Sequence, residues 1–153
     1  MQAVELARQL GADQAEAGAS HDEGLSVTVR MGEIESVERQ RDRGLALTVY
    51  CEGRKGSAST NDFSRASVES TVRKALSIAS FTAPDQYAGL ADAELMAQSP
   101  PDLALYFPWD IDVEAAAALA LRAENAARAV DARIENSEGA TVSTGGGHRV
   151  YAN

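Results

Sequence analysis

The residues able to do chemistry are few. Two histidines, His21 and His148, and a single cysteine, Cys51, are the soft ligands and strong nucleophiles of the chain. Neither histidine has a second one at helical spacing, so a zinc motif of the HExxH type is absent. One cysteine allows no internal disulfide and no cysteine zinc cluster. His21-Asp22-Glu23 places three candidate ligands in a row. Adjacent side chains on a strand point to opposite sides, so this run reads as a polar turn rather than a metal or acid–base site. Cys51 has no base near it in sequence and falls in step with Leu47 and Val49, as a small buried hydrophobe would. Gly145-Gly146-Gly147 could cradle a phosphate only if a helix followed. A short strand-like segment follows instead, so a hairpin turn is expected there. One polar stretch is dense and carries two cations, Gly53 to Thr60. Within it Arg54, Lys55, Ser57, Ser59 and Thr60 are the candidate contacts for a peptide carboxylate, a partner surface or an anion. A hairpin turn, a polar outer strand and a helix cap account for the same residues. No catalytic residue, metal ligand or cofactor site is assigned on these grounds.

The elements that must position these residues follow from periodicity. Met1 to Leu10 is a short helix stopped by Gly11. Ala15, Ala17 and Ala19 alternate as a strand, and His21 to Gly24 is read as a turn. Leu25, Val27, Val29 and Met31 form a strand with one buried face, broken at Gly32. Glu33 to Arg41 is a second strand whose apolar pattern is irregular. Ile34 and Val37 fall on opposite faces, which implies a bulge or an exposed edge. Such an edge could add a strand from a peptide or partner, and its charges are equally what a protected edge carries. Asp42 to Gly44 is read as a turn before Leu45 to Cys51. Glu52-Gly53 then turns a hairpin into the return strand Arg54 to Thr60. Asn61, Asp62 and Ser64 offer N-caps for an amphipathic helix over 64–80. Residues 83–110 are a loop punctuated by Pro84, Pro100-Pro101 and Pro108, with Tyr106, Phe107 and Trp109 expected to pin it to the body.

Asp110 or Asp112 caps a long helix to about Val130. Ala116, Leu119, Ala120, Ala123, Ala127 and Val130 are read as its apolar stripe, with Arg122, Asn125 and Arg128 toward solvent. Strand is expected over Asp131–Glu135, Thr141–Ser143 and Arg149–Asn153, with turns at Gly139 and Gly145–Gly147. A faint repeat matches Asp13 with Glu23-Gly24-Leu25-Ser26-Val27 to Asp131 with Glu138-Gly139-Ala140-Thr141-Val142, a possible internal duplication. The resulting class is α+β: a twisted, mainly antiparallel sheet with two main helices, 64–80 and 112–130, packed on one face.

Composition narrows the classes. The chain has 153 residues, 44% of them hydrophobic, so one domain with a real core is expected. Aromatics are only 5%, and alanine is abundant, so that core is made of small residues. Fourteen Lys and Arg against 23 Asp and Glu leave a net charge of −9. With its cations scattered, such a chain repels a phosphate backbone, and no nucleic-acid partner is expected. No apolar run reaches the ~20 residues of a membrane helix. Glu5 and Arg8 interrupt any apolar signal core, so the expected address is cytoplasmic.

Several stretches, taken in order, resemble the TldD/PmbA family. Val29-Arg30-Met31-Gly32-Glu33-Ile34-Glu35-Ser36-Val37-Glu38 is similar to that family's V-R-x-G-x-x-E-x-V-E opening. Gly44 to Tyr50 and Gly53 to Asp62 resemble its Gly-led strand and its G-R-x-G-x-A-S-T-x-D hairpin. Asp85, Gly89 and Leu90, then Asp102 to Tyr106 running into Pro108-Trp109, follow in the same order. Asp131 to Ala140 resembles D-x-R-I-x-x-S-x-G-A. The Pro-Trp and Asn-Ser-Glu-Gly-Ala details look like the PmbA (TldE) branch. The resemblance implies a cytoplasmic subunit of a TldD–TldE metallopeptidase that trims leader peptides and degrades unfolded ones. It implies zinc held by an H-E-x-x-x-H helix of a TldD-like partner subunit, and none in this chain. It further implies that residues 1–153 are a single N-terminal domain, part of a longer chain, inactive alone and helping to enclose a chamber for peptide substrates. The alternative is a stand-alone module that binds a peptide or partner by strand addition and is no enzyme. The family's old association with DNA gyrase does not alter the expectation against nucleic acid.

Overall fold

A computed structural model describes residues 2–97, 99 and 101–153. Met1 of the expected first helix and Pro100 of the expected Pro100-Pro101 break lie outside the described residues. The chain runs α1 (Gln2–Gln9), β1 (Gln14–Arg30), β2 (Glu33–Cys51), β3 (Arg54–Thr60), α2 (Arg65–Phe81), a 3-10 turn at Ala93–Leu95, α3 (Val113–Arg128) and β4 (Ala140–Ala152). The four strands form one open antiparallel sheet in the order β3-β2-β1-β4. The class is α+β, as the periodicity requires. No helix among the described residues is long and apolar enough to cross a membrane.

Three expected turns do not exist. His21–Gly24 lies inside β1, Asp42–Gly44 inside β2 and Gly145–Gly147 inside β4. Local turn chemistry yields there to pairing with neighbouring strands. A Cβ on Gly24 would lie 3.0 Å from Thr144 O and 3.9 Å from Gly145 Cα. The expected strand Asp131–Glu135 is loop. The two stretches read as a repeat therefore differ in form, since Asp13–Val27 enters a single strand and Asp131–Gly139 is irregular.

Both real hairpins have two central residues with positive φ, the signature of a type I′ turn. They are Met31 (52°) with Gly32 (85°), and Glu52 (52°) with Gly53 (71°). Arg30 and Glu33 flank the first, so even positions of β1 share a face there with odd positions of β2. Arg30 Nη1 accordingly lies 3.5 Å from Glu35 Oε1. At the other end Ala15 and Ala17 share a core with Leu47 and Val49, odd with odd. The pairing of β1 with β2 therefore shifts by an odd number of residues between the two ends, as a β-bulge makes it do. β3 pairs with β2 only from Leu45 to Cys51. The outer side of β2 over 33–44 is thus an open edge, as the irregular pattern of Ile34 and Val37 implied. Bulge and charge together blunt that edge against strand addition.

The chain divides into two compact units. The first comprises residues up to His21, Asp42–Leu103 and His148–Asn153. Its core joins Ala3, Val4 and Ala7 of α1, Ala15 and Ala17 of β1, Leu45, Leu47 and Val49 of β2, and Val72, Ala75 and Ala79 of α2. Small residues let α2 come close to β3. A Cβ on Gly56 would fall 2.0 Å from Ala75 O, so only glycine fits. Ser64 caps α2 by accepting from Ser67 N, and Asp62 in turn accepts from Ser64 N and Oγ.

The second unit comprises Asp22–Arg41 and Ala104–Gly147. Leu25, Val27 and Val29 of β1 pack there on Ala116, Ala117 and Ala120 of α3. The buried face of α3 is Ala116, Ala117, Ala120 and Glu124, so the expected stripe holds at Ala116 and Ala120, with Leu119 half-buried, and fails beyond them. Ala123 and Ala127 are exposed, Val130 is 79% exposed, and Arg128 is half-buried. An alanine-rich helix looks equally apolar on several faces, and Glu124 decides which turns inward. Tyr106, Phe107 and Trp109 do not bury themselves; Phe107 is 81% exposed.

Candidate functional site

The sequence candidates divide by strand parity. In β3, Cys51 pairs with Arg54, Tyr50 with Lys55, Thr48 with Ser57 and Ala46 with Ser59. Even positions of β2 here lie opposite the core positions Leu45, Leu47 and Val49. Lys55, Ser57 and Ser59 therefore stand on the face of the sheet away from α2. Lys55 and Ser59 are exposed, and Ser57 shares a hydrogen bond of 3.0 Å with Thr48 Oγ1. Arg54 and Thr60 point the other way and are structural. Arg54 Nη1 donates to Thr82 O at 2.9 Å and Ser80 O at 3.5 Å, closing the C-terminal end of α2. Thr60 Oγ1 pairs with Ser67 Oγ at 3.0 Å and accepts from Asp62 N, helping seat the start of α2. The structure thus brings three of the five to one face and gives the other two to helix ends.

On that same face lies a group the sequence reading missed. Glu16 of β1 accepts one phenolic hydrogen bond on each carboxylate oxygen. Tyr50 Oη of β2 donates at 3.1 Å to Oε1, and Tyr151 Oη of β4 donates to Oε2. A row Lys55, Tyr50, Glu16, Tyr151 crosses the sheet. Gly18, two residues on from Glu16, lies beside the Tyr151 ring, whose Cδ2 would be in ordinary contact, 3.9 Å, with a Cβ at that position. The hydrogen bond to Glu16 is the main reason the Tyr151 hydroxyl is pushed up to about 12, with burial and the charge of Glu16 adding to it. Tyr50 is raised too, by burial first and then by Glu16. The signal was present: Glu16 alone interrupts the small-residue alternation Ala15–Ala19 with a charge.

The second unit contains a buried carboxylate. Glu124 of α3 is 2% exposed and accepts from Met31 N at 2.6 Å and Gly32 N at 2.8 Å. Two successive backbone N–H groups of a positive-φ turn form a small anion nest. Burial alone would raise this carboxyl. The bonds from Gly32 N, the Ser137 hydroxyl and Met31 N, with the Arg128 charge, outweigh it and hold the group below the usual carboxylate range. Asp13 serves the other hairpin in the same way, accepting from Glu52 N at 2.6 Å. These carboxylates hold turns.

The remaining candidates sit elsewhere on the fold. Cys51 is half-buried against the core, and burial, followed by the charge of Asp13, pushes its thiol up and away from thiolate chemistry. His21 is exposed on β1, and Gly145–Gly147 has no helix after it. Among the described residues no three His, Cys, Asp or Glu side chains gather as a metal-ligand set.

Comparison with known proteins places this architecture. Residues 15–79 match the model of PmbA/TldA metallopeptidase domain 1, and residues 106–153 match that of the PmbA/TldA metallopeptidase central domain. A metalloprotease PmbA homolog of Haemophilus influenzae is 48% identical over 151 residues, which is 99% of this chain and 33% of that protein. Metalloprotease PmbA of Escherichia coli O157:H7 is 44% identical over 155 residues, again 99% of this chain and 34% of that protein. The chain thus spans about a third of the length of the curated relatives it matches. Among solved structures, a candidate modulator of DNA gyrase from Bacteroides thetaiotaomicron superposes with a TM-score of 0.83 at 24% identity, over 98% of this chain and 35% of that one. TldE from Thermococcus kodakarensis superposes with a TM-score of 0.72 at 15% identity, over 99% of this chain and 34% of that one. At those identities the two structures establish a shared fold.

Proposed function

The chain belongs to the PmbA/TldD metallopeptidase family, and from that premise we propose that it serves as the N-terminal domain of a PmbA (TldE)-like subunit of a TldD–TldE peptidase. In this reading it helps to enclose the chamber in which leader peptides are trimmed and unfolded peptides degraded, in the cytoplasm, and does not cut peptides by itself. The observation that carries the reading is the 48% identity to a PmbA protein across 99% of the chain.

The family name implies a metal, and the residues described here do not fit one. The imidazoles His21 and His148 belong to no group of three ligands among the described residues. The carboxylates of Asp13 and Glu124 are committed to hairpin turns. In this reading no step of hydrolysis is routed through these residues, and zinc belongs to a TldD-like partner subunit.

What this chain supplies is shape. It offers a stiff sheet with a polar face of hydroxyls, a lysine and a phenol–carboxylate row. The decisive experiment is co-expression of the gene product carrying this chain with a TldD-like subunit. Co-purification in fixed stoichiometry is expected. Failure of the two to associate at micromolar concentration overturns the proposal.

A further inference from the structure

We propose that Glu16, with the Tyr151 ring beside it, is a subsite for a basic group, the guanidinium or ammonium of an Arg or Lys side chain in a bound peptide. The proposal deepens the peptide-chamber reading and rests on it for the source of the ligand. Its geometry is independent of that reading.

Three observations carry it. First, the Glu16 carboxylate is fixed by two phenols, one on each oxygen, so it cannot swing away. Each oxygen keeps an acceptor site after taking one bond. Secondly, the two groups that hold the carboxylate are neutral phenols, so its charge is not cancelled by them. The described ion pairs are Arg30–Glu35, Arg41–Glu23, Arg73–Glu69 and Arg133–Asp131. Lys55 lies beyond Tyr50 on the opposite strand. Thirdly, the group is reachable from one side. Tyr50 is 8% exposed and holds Glu16 from the closed side, while Tyr151 is 63% exposed and walls the open side. A carboxylate held by neutral phenols next to an exposed aromatic face complements a cation, by charge-assisted hydrogen bonding and by attraction to the ring.

The test uses the purified gene product carrying this chain with small probes and needs neither a partner subunit nor cleavage. N-acetyl-arginine methylamide and N-acetyl-norleucine methylamide are titrated separately while the backbone amide resonances of β1, β2 and β4 are followed. The basic probe is expected to shift Glu16, Gly18 and Tyr151 and to bind at least about tenfold tighter than the neutral one. Glu16→Gln removes the charge and is expected to abolish that preference. Tyr151→Phe keeps the ring and is expected to retain part of it. Should Glu16→Gln disturb the sheet, Glu16→Asp in the same assay keeps the charge and is expected to retain the preference. Equal binding of the two probes, or an unchanged preference in Glu16→Gln, overturns the proposal. Because no partner is present, loss of this preference leaves the subunit reading standing. Failure to associate with a TldD-like protein likewise leaves the subsite measurable.

Discussion

Carboxylates at three positions organise this domain, and each does so through hydrogen bonds rather than ion pairs. Glu124 holds one type I′ hairpin by two backbone N–H groups, Asp13 holds the other by one, and Glu16 ties three strands through two phenols. For Glu124 the sign of the pH effect follows from its lowered pKa. The folded state favours the ionised form more than the unfolded chain does. The stability this supplies is complete above the ordinary carboxylate pKa and disappears as pH falls through the lowered folded value. Glu124→Gln should therefore unfold at lower urea than the parent at pH 7, with the gap narrowing in acid. Paired urea titrations at neutral and acidic pH measure it, and a gap independent of pH contradicts this role. For Tyr151 the sign is opposite. With its hydroxyl raised to about 12, its contribution is present below the ordinary phenol pKa of about 10 and is lost as pH climbs toward the raised value. A spectrophotometric titration should show Tyr151 and Tyr50 ionising late, and Tyr151→Phe should diminish that late phase.

At the scale of elements, the decisive contacts are close approaches between backbones. Gly56 lets α2 settle on β3, and a methyl group there meets Ala75 O and Ala79 N. Gly56→Ala should cost about 2–4 kcal/mol, in the range of a severe overpacking. Gly146→Ala should cost far less, because no atom lies within 4 Å of its missing Cβ. A tight hairpin at 145–147 would predict the reverse sensitivity. On α3, Ala120→Leu should lose about 1–3 kcal/mol by overfilling a buried position, and Ala127→Leu should stay within about 0.5 kcal/mol. Chemical denaturation of the four variants separates these outcomes. The same elements mark how far the sequence was legible. The hairpin at Glu52-Gly53, the break at Gly32, the cap at Ser64 and the helix 64–80 were readable because local chemistry alone decides them. The long strands were not. His21–Gly24, Asp42–Gly44 and Gly145–Gly147 have turn composition, and only the neighbouring strands keep them extended. The inward face of α3 was hidden for a related reason. Its alanines point everywhere, and the burial of Glu124 is set by a turn some ninety positions earlier in the chain.

At the scale of the whole molecule, sequence order carried more than any single motif. No short stretch identifies the family, yet several in the right order did, and matches covering 15–79 and 106–153 agree with them. The five-residue candidate patch was read from one strand and was blind to parity. Arg54 and Thr60 turned to the helix, Lys55, Ser57 and Ser59 turned away from it, and Glu16, Tyr50 and Tyr151 joined the latter from distant positions. A single strand read alone cannot reveal which residues of other strands it will lie beside. The central claim is that this domain shapes a peptide chamber whose metal sits in another subunit. Peptide hydrolysis tests it most directly, with the purified gene product assayed in added zinc, alone and with a TldD-like subunit. The account predicts cleavage of an unfolded peptide only in the mixture. Sustained, zinc-dependent cleavage by the purified gene product alone contradicts it.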